Sequence, residues 1–378
     1  MHVFSTQTAP MLFPAAPDFF LQRIISAALD TPHLLYALLA AACSHHSRLV
    51  RDKSLESQTM CLMFTNRAIS SLRAALCEDQ EAIKPETVTA AMALCTNDVC
   101  NGNMPVWRTH LRGVLRLLTA LVDRQKEPGL GDPFTQALLK WFTTLDLLAG
   151  LSGLRAECVH DARDGMLGQL WKGAEGRVDD ICGYSLDLVP ILGRASQLIH
   201  QQHLNPLVGY ESNIHDSEER QQVTREAETL EKQILSLLDN TTPDSILDHS
   251  NHLRTELQYT NRAFAYSALL HLHRRVQQLQ QNHPKVRAEI IGILDAVANI
   301  RPFSSANILI LWPIFSAGCE TEAQSERELI QTRMGNMQSL GMGNFSRARK
   351  LLYQFWQSGS SLPWDIYFAR LGLELVLF

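Results

Sequence analysis

The chain has 378 residues, 46% hydrophobic and 19% charged, with 34 Lys+Arg against 39 Asp+Glu and a formal net charge of -5. An ordinary apolar fraction with few charges excludes a disordered chain, and the length allows one large core or two ordinary ones. The negative balance also removes any global electrostatic grip on a polyanion, because nucleic-acid affinity rests on neutralising phosphates with Lys and Arg.

Met1 to Pro17 has no Lys or Arg ahead of its apolar residues and is interrupted by Pro10, Pro14 and Pro17, so no secretory signal is read there. Residues 1–17 are taken as an N-terminal extension and 18–378 as one helical domain. The longest apolar run, Leu34 to Cys43, is about ten residues, half of the ~20 that cross a bilayer. The chain is accordingly read as soluble and intracellular, without a membrane partner.

Helical spacing dominates from residue 31 onward. Thr31 as N-cap and Pro32 at the first helical position open a run in which Leu35, Leu38, Leu39 and Ala42 recur every three or four residues. The same spacing predicts helices over Leu55 to Leu76, Glu86 to Val99, Pro105 to Val122, Pro133 to Leu148, Leu186 to His200 and Glu218 to Leu238. Further helices begin near Asn251, Pro284, Ser305 and Phe345. No set of alternating strands competes, so the fold class is all-α. Two composition shifts mark breaks. Residues 150–184 are rich in glycine and read as loops with short helices; residues 211–250 hold ten acidic residues against three basic ones and read as a solvated helix with a surface loop.

No motif in the sequence carries recognisable catalytic or metal-binding chemistry. Of the cysteines, Cys43, Cys61, Cys77, Cys95, Cys100, Cys158, Cys182 and Cys319, no two form the C-x-x-C pair from which structural zinc sites draw thiolates, and they read as small buried hydrophobes. There is no H-E-x-x-H, P-loop or G-x-S-x-G elbow. Gly341 and Gly343 resemble the start of a dinucleotide fingerprint but follow no strand. The close pairs His45/His46, His200/His203 and His271/His273 lack a third ligand and read as surface or half-buried residues. Asp161 with Asp164, and Asp179 with Asp180, are the nearest approach to a magnesium-binding carboxylate cluster, without the second motif such a site needs. No catalytic, cofactor-binding or metal-binding residue is nominated, no cofactor is expected, and the chain is not read as an enzyme.

Three constellations are more specific. Trp107-Arg108-Thr109-His110-Leu111-Arg112-Gly113 places Trp107, His110 and Val114 on one helical stripe, with Gly113 expected to admit a close neighbour. Ala268-Leu269-Leu270-His271-Leu272-His273-Arg274-Arg275-Val276 ends an amphipathic helix on basic residues that suit the helix dipole. In Trp312-Pro313-Ile314-Phe315-Ser316-Ala317-Gly318-Cys319-Glu320, Pro313 should kink or restart a buried helix and Ala317 with Gly318 should form a close-packing face.

In this order, and with the early run Pro32, Leu34, Leu35, Ala37, Leu38, Leu39, Ala40, Ala42 and His45, these motifs resemble the fungal-specific transcription factor domain, in its second variety, found in zinc-cluster regulators. The resemblance extends from about residue 20 to Trp356 and Trp364. It implies an all-helical regulatory domain, a nuclear location, and control of a fungal metabolic or secondary-metabolite gene cluster. It also implies partners among other transcription regulators, as homodimer or heterodimer, and an apolar small-molecule effector. The six-cysteine cluster through which such regulators reach DNA is not found in this sequence, so direct DNA binding by the chain alone is not expected. Two other readings stand beside this one. In the first, the chain binds small molecules without transcriptional output, with Trp107, Trp141, Phe142, Trp312 and Phe315 as wall residues. In the second, it is a regulatory fold recruited to a biosynthetic step.

Overall fold

A computed structural model describes residues 1–102, 107–124, 132–152, 177–204, 214–240, 252–373 and 375–378, with backbone alone for 200–204, 214–220 and 240. The regular elements are α1 (Ala9–Leu12), α2 (Asp18–Asp30), α3 (Pro32–Leu49), α4 (Leu55–Leu76), α5 (Asp79–Ala82), α6 (Pro85–Asn101), α7 (Trp107–Arg124) and α8 (Pro133–Leu151). They continue as α9 (Leu188–Leu204), α10 (Ile214–Asn240), α11 (His252–His271), α12 (Pro284–Ala298), α13 (Leu311–Glu320), α14 (Gln324–Gln338), α15 (Gly343–Ser358) and α16 (Trp364–Arg370). The only extended pairing among the described residues is an isolated bridge between Val178 and Ser185. The fold is all-α.

Local chemistry accounts for most of the boundaries. Ser54 caps α4, its Oγ accepting from the Ser57 N–H at 3.2 Å, and Asp132 caps α8 by accepting from the Phe134 N–H at 2.9 Å, with Pro133 in the first turn. Thr31 occupies the N-cap of α3 as expected, but its hydroxyl makes no capping bond; Pro32 and the extended Thr31 backbone set the start. Pro313 restarts a helix. Residues Ser305–Ile310 form a 3₁₀ segment, and α13 then begins at Leu311 with Pro313 in its first turn, where a missing N–H costs nothing.

Neighbours in sequence are largely neighbours in space. α3 packs on α2, α4 and α6; α6 on α7; α7 on α8; α8 on α9; α9 on α10; α10 on α11; and α11 on α12 and α13. α15 then lies against α13 and α14 and returns to α6, joining the two ends of the sequence around a continuous apolar core. Residues 1–17 contribute Phe4, Ala9 and Phe13 to that core, and Phe13 meets Trp141 edge-on at 4.7 Å. α4 is the outlier: over 22 residues only Ala68 is fully buried, while Leu55, Met60, Leu62, Met63 and Leu76 are exposed. Among the described residues no single helix is long and apolar enough to cross a membrane.

Glycine roles divide. Gly318 is a close-packing point as expected, since an added Cβ would meet Leu352 Cδ2 at 2.7 Å. Gly113 is not: it is exposed and a Cβ there would meet nothing within 4 Å, so its helix presents that position to open space. Gly341 sits at φ +81, where a side chain would also strike His45 and Leu49. Its carbonyl accepts from Arg48 Nε at 2.5 Å, so Gly341 serves the packing of a turn on α3 and not a nucleotide loop.

Candidate functional site

A group of buried charged side chains gathers where the second and third motifs meet. α11 ends at His271 and continues as one π turn, Leu272–Val276, closed by the Gln277 N–H donating to Leu272 O at 2.9 Å. Such wide turns are uncommon and recur at sites where a helix must present residues off its regular register. Three consecutive side chains leave this turn in different directions, and each reaches a carboxylate on a different helix.

His273, 2% exposed, lies between two glutamates. Its Nδ1 is 2.6 Å from Glu289 Oε1 on α12 and its Nε2 is 3.3 Å from Glu231 Oε1 on α10, which also holds Lys285 Nζ at 2.5 Å. The imidazole contacts are close but not aligned as hydrogen bonds. Burial pushes the Glu289 carboxyl above its ordinary range, against the pull of His273. At Glu231 burial acts in the same upward sense, but Lys285 and His273 outweigh it and hold the carboxyl below the usual value. Next along the turn, Arg274 Nε donates to Glu320 Oε2 on α13 at 2.6 Å. Arg275 then donates to Asp365 Oδ2 on α16, and both side chains of that pair are almost wholly buried.

The basic end of the second motif therefore does more than suit the dipole of its own helix. It ties α10, α12, α13 and α16 together, and the Arg274–Glu320 pair joins the second motif directly to the third. Aromatic rings pack along the same seam. Tyr184 stacks on Phe264 at 4.3 Å, Phe264 lies 5.5 Å from Trp312, and His271 bridges Trp312 at 6.0 Å and Trp364 at 6.5 Å. A pair of buried opposite charges is costly to separate because each ion left alone has lost its water. The arrangement can fix helix positions, with His273 itself buried between its two glutamates.

A second polar cluster lies under the first motif's neighbours. His45 bonds Thr8 Oγ1 through Nδ1 at 3.1 Å and Leu340 O through Nε2 at 3.0 Å, so it joins the N-terminal segment, α3 and the α14–α15 turn. It lines a cavity of about 10 Å³ with Thr8, Leu12, Ala41, Arg48, Thr96, Asn97, Cys100 and Met342. That is the size of one water and far below an effector. Trp107, Trp141, Phe142, Trp312 and Phe315 are all buried in the core, and none of them lines this cavity.

Burial lowers the pKa of His45 below its ordinary 6.5, with Arg48 and His46 adding to the effect and the Leu340 carbonyl opposing it. A histidine lowered on folding binds fewer protons folded than unfolded, so stability rises with pH across that interval and is lost as pH falls below about 6.5. Urea midpoints of the wild-type chain should therefore fall between pH 7.5 and pH 5.5. His45→Gln should lessen that fall while lowering stability at the upper pH; an unchanged pH slope would refute the assignment to His45.

Most of the remaining sequence candidates have structural roles. Of the histidine pairs, His45, His271 and His273 are buried and not surface residues, because each packs against or bonds a partner distant in sequence. His200 and His203 lie where only backbone is described, and Asp161 and Asp164 lie outside the described residues. Asp179 braces a turn by accepting from the Ile181 and Cys182 N–H groups at 2.9 and 3.0 Å and from Lys140 Nζ at 2.5 Å. Among the described residues no group of three or more His, Cys, Asp or Glu side chains is placed to hold a metal ion.

The described residues thus form an all-α fold in which an ion-paired junction joins α10, α11, α12, α13 and α16. The whole chain, residues 1–378, matches the fungal specific transcription factor domain, and the protein belongs to that family. No curated relative and no solved structure matches the chain. The family makes a transcriptional regulator of it in general terms.

Proposed function

We propose that the protein regulates transcription of a fungal metabolic or secondary-metabolite gene set from within the nucleus, by associating with another regulator. The observation that carries this reading is the family match over residues 1–378. Association is favoured over effector binding because the five candidate wall aromatics are packed as core, whereas α4 presents Leu55, Met60, Leu62, Met63 and Leu76 to solvent. The partner is a second copy or another transcription regulator.

Transcript profiling of a strain lacking the gene tests the reading. Coordinated change across a set of pathway genes is expected, together with recovery of transcription-associated proteins by immunoprecipitation. Normal transcripts with one accumulated precursor would overturn the proposal in favour of a recruited biosynthetic role.

A further inference from the structure

Cys43 on α3 and Cys61 on α4 face each other across the contact between those helices, with their Sγ atoms 2.8 Å apart. A bonded pair stands at about 2.05 Å, so joining them requires only a small approach of two helices that already pack together. Both residues are half-buried, whereas Cys95, Cys100, Cys182 and Cys319 are buried and Cys77 is exposed. From this geometry we propose that Cys43 and Cys61 form a reversible disulfide on exposure to hydrogen peroxide, fastening α4 covalently to α3.

The surroundings of the two sulfurs set the order of events. In the proposed order Cys61, on the largely exposed α4, meets peroxide first, while burial and the hydrogen bond with Cys61 push the Cys43 thiol up to about 12 and keep it protonated. The Cys61 thiolate attacks one peroxide oxygen, the O–O bond breaks, and the departing hydroxide takes up a proton as water, leaving Cys61 as a sulfenic acid. The Cys43 sulfur then attacks the Cys61 sulfur. The S–S bond forms, the S–O bond breaks, and hydroxide leaves with the Cys43 proton as a second water. Two thiols and one peroxide give one disulfide and two waters. Proximity compensates for the weakly acidic Cys43, since the second step is intramolecular between sulfurs already in contact. A disulfide in a reducing compartment is transient and regulatory in character, so reversal by thiols is part of the proposal.

The proposal does not depend on the transcriptional reading. The full-length chain is reduced, freed of reductant, treated with hydrogen peroxide, blocked with N-ethylmaleimide and digested for mass spectrometry, with exposed Cys77 as internal reference. The expected result is a cross-linked peptide pair joining Cys43 to Cys61, lost on treatment with dithiothreitol and absent from Cys43→Ser and Cys61→Ser. Thermal melting should shift upward on oxidation in the wild type and not in Cys61→Ser. Full alkylation of Cys43 and Cys61 under conditions that oxidise Cys77 would overturn the proposal, as would Cys61 appearing only as sulfinic acid or in links between chains.

Discussion

Arg275→Ala should lower unfolding stability by about 3 kcal/mol or more, within the ~3–5 kcal/mol range for breaking a buried ion pair. Arg275 and Asp365 are 3% and 5% exposed at their side chains, so removing the guanidinium leaves the Asp365 carboxylate without water and without its cation. Asp365 accepts the Ile366 N–H at 2.9 Å and lies in the first turn of α16, where the helix dipole favours an anion, which places the loss toward the lower end. The double replacement Arg275→Met with Asp365→Leu removes both charges and fills the same space, and should recover most of the loss. Urea unfolding followed by tryptophan fluorescence measures each variant. If the double variant is as unstable as the single one, the pair is not what fixes α16 against the π turn.

Trp312→Ala should cost about 3–5 kcal/mol, the range for emptying a large aromatic site in a core. Trp312 is 0% exposed and sits between the Phe264 ring at 5.5 Å and the His271 ring at 6.0 Å, so its removal opens a space walled by rings that cannot collapse without rotating α11 or α13. Trp312→Phe retains part of the contact and should cost distinctly less. Tyr353→Ala, at a position 53% exposed, provides the comparison and should change stability by less than about 0.5 kcal/mol. Equal losses at positions 312 and 353 would contradict the placement of Trp312 at the seam.

The sequence is most legible where period, cap and helix agree. Ser54 ahead of the Leu55 to Leu76 run, and Asp132-Pro133 ahead of the run that ends in α8, locate helix starts to the residue because capping is a local interaction. α14 has no such signal. Its apolar content is sparse, and Ile330, Met334 and Met337 become a buried face only once α13 and α15 are beside it. α16 is short and is held by Arg275 through Asp365, a partner no window around Trp364 contains. The same reason hides the site. His273 reads as one of a pair with His271, but its partners Glu231 and Glu289 arrive on α10 and α12, so the triad exists only after three helices pack. Cys43 and Cys61 likewise look unrelated in sequence and become neighbours through the packing of α3 on α4. The strongest local signal is the run of His273, Arg274 and Arg275 itself: three consecutive cationic or titratable residues at an apolar helix end require partners if the helix is buried.

The sparse anchoring of α4 divides the molecule into parts of unequal persistence. Opening a segment costs roughly what its buried contacts contribute. α8 buries nearly its whole surface, whereas α4 releases one fully buried side chain, Ala68, and the partly covered Cys61, Phe64, Ile69 and Leu72. α4 is therefore expected to open at less cost than α8, which faster amide exchange over Leu55–Leu76 than over Pro133–Leu151 would show. Each such opening would part Cys43 from Cys61 and bare the α3 surface beneath, so a bond between those sulfurs would act on the frequency of this opening and leave the rest of the fold as it is.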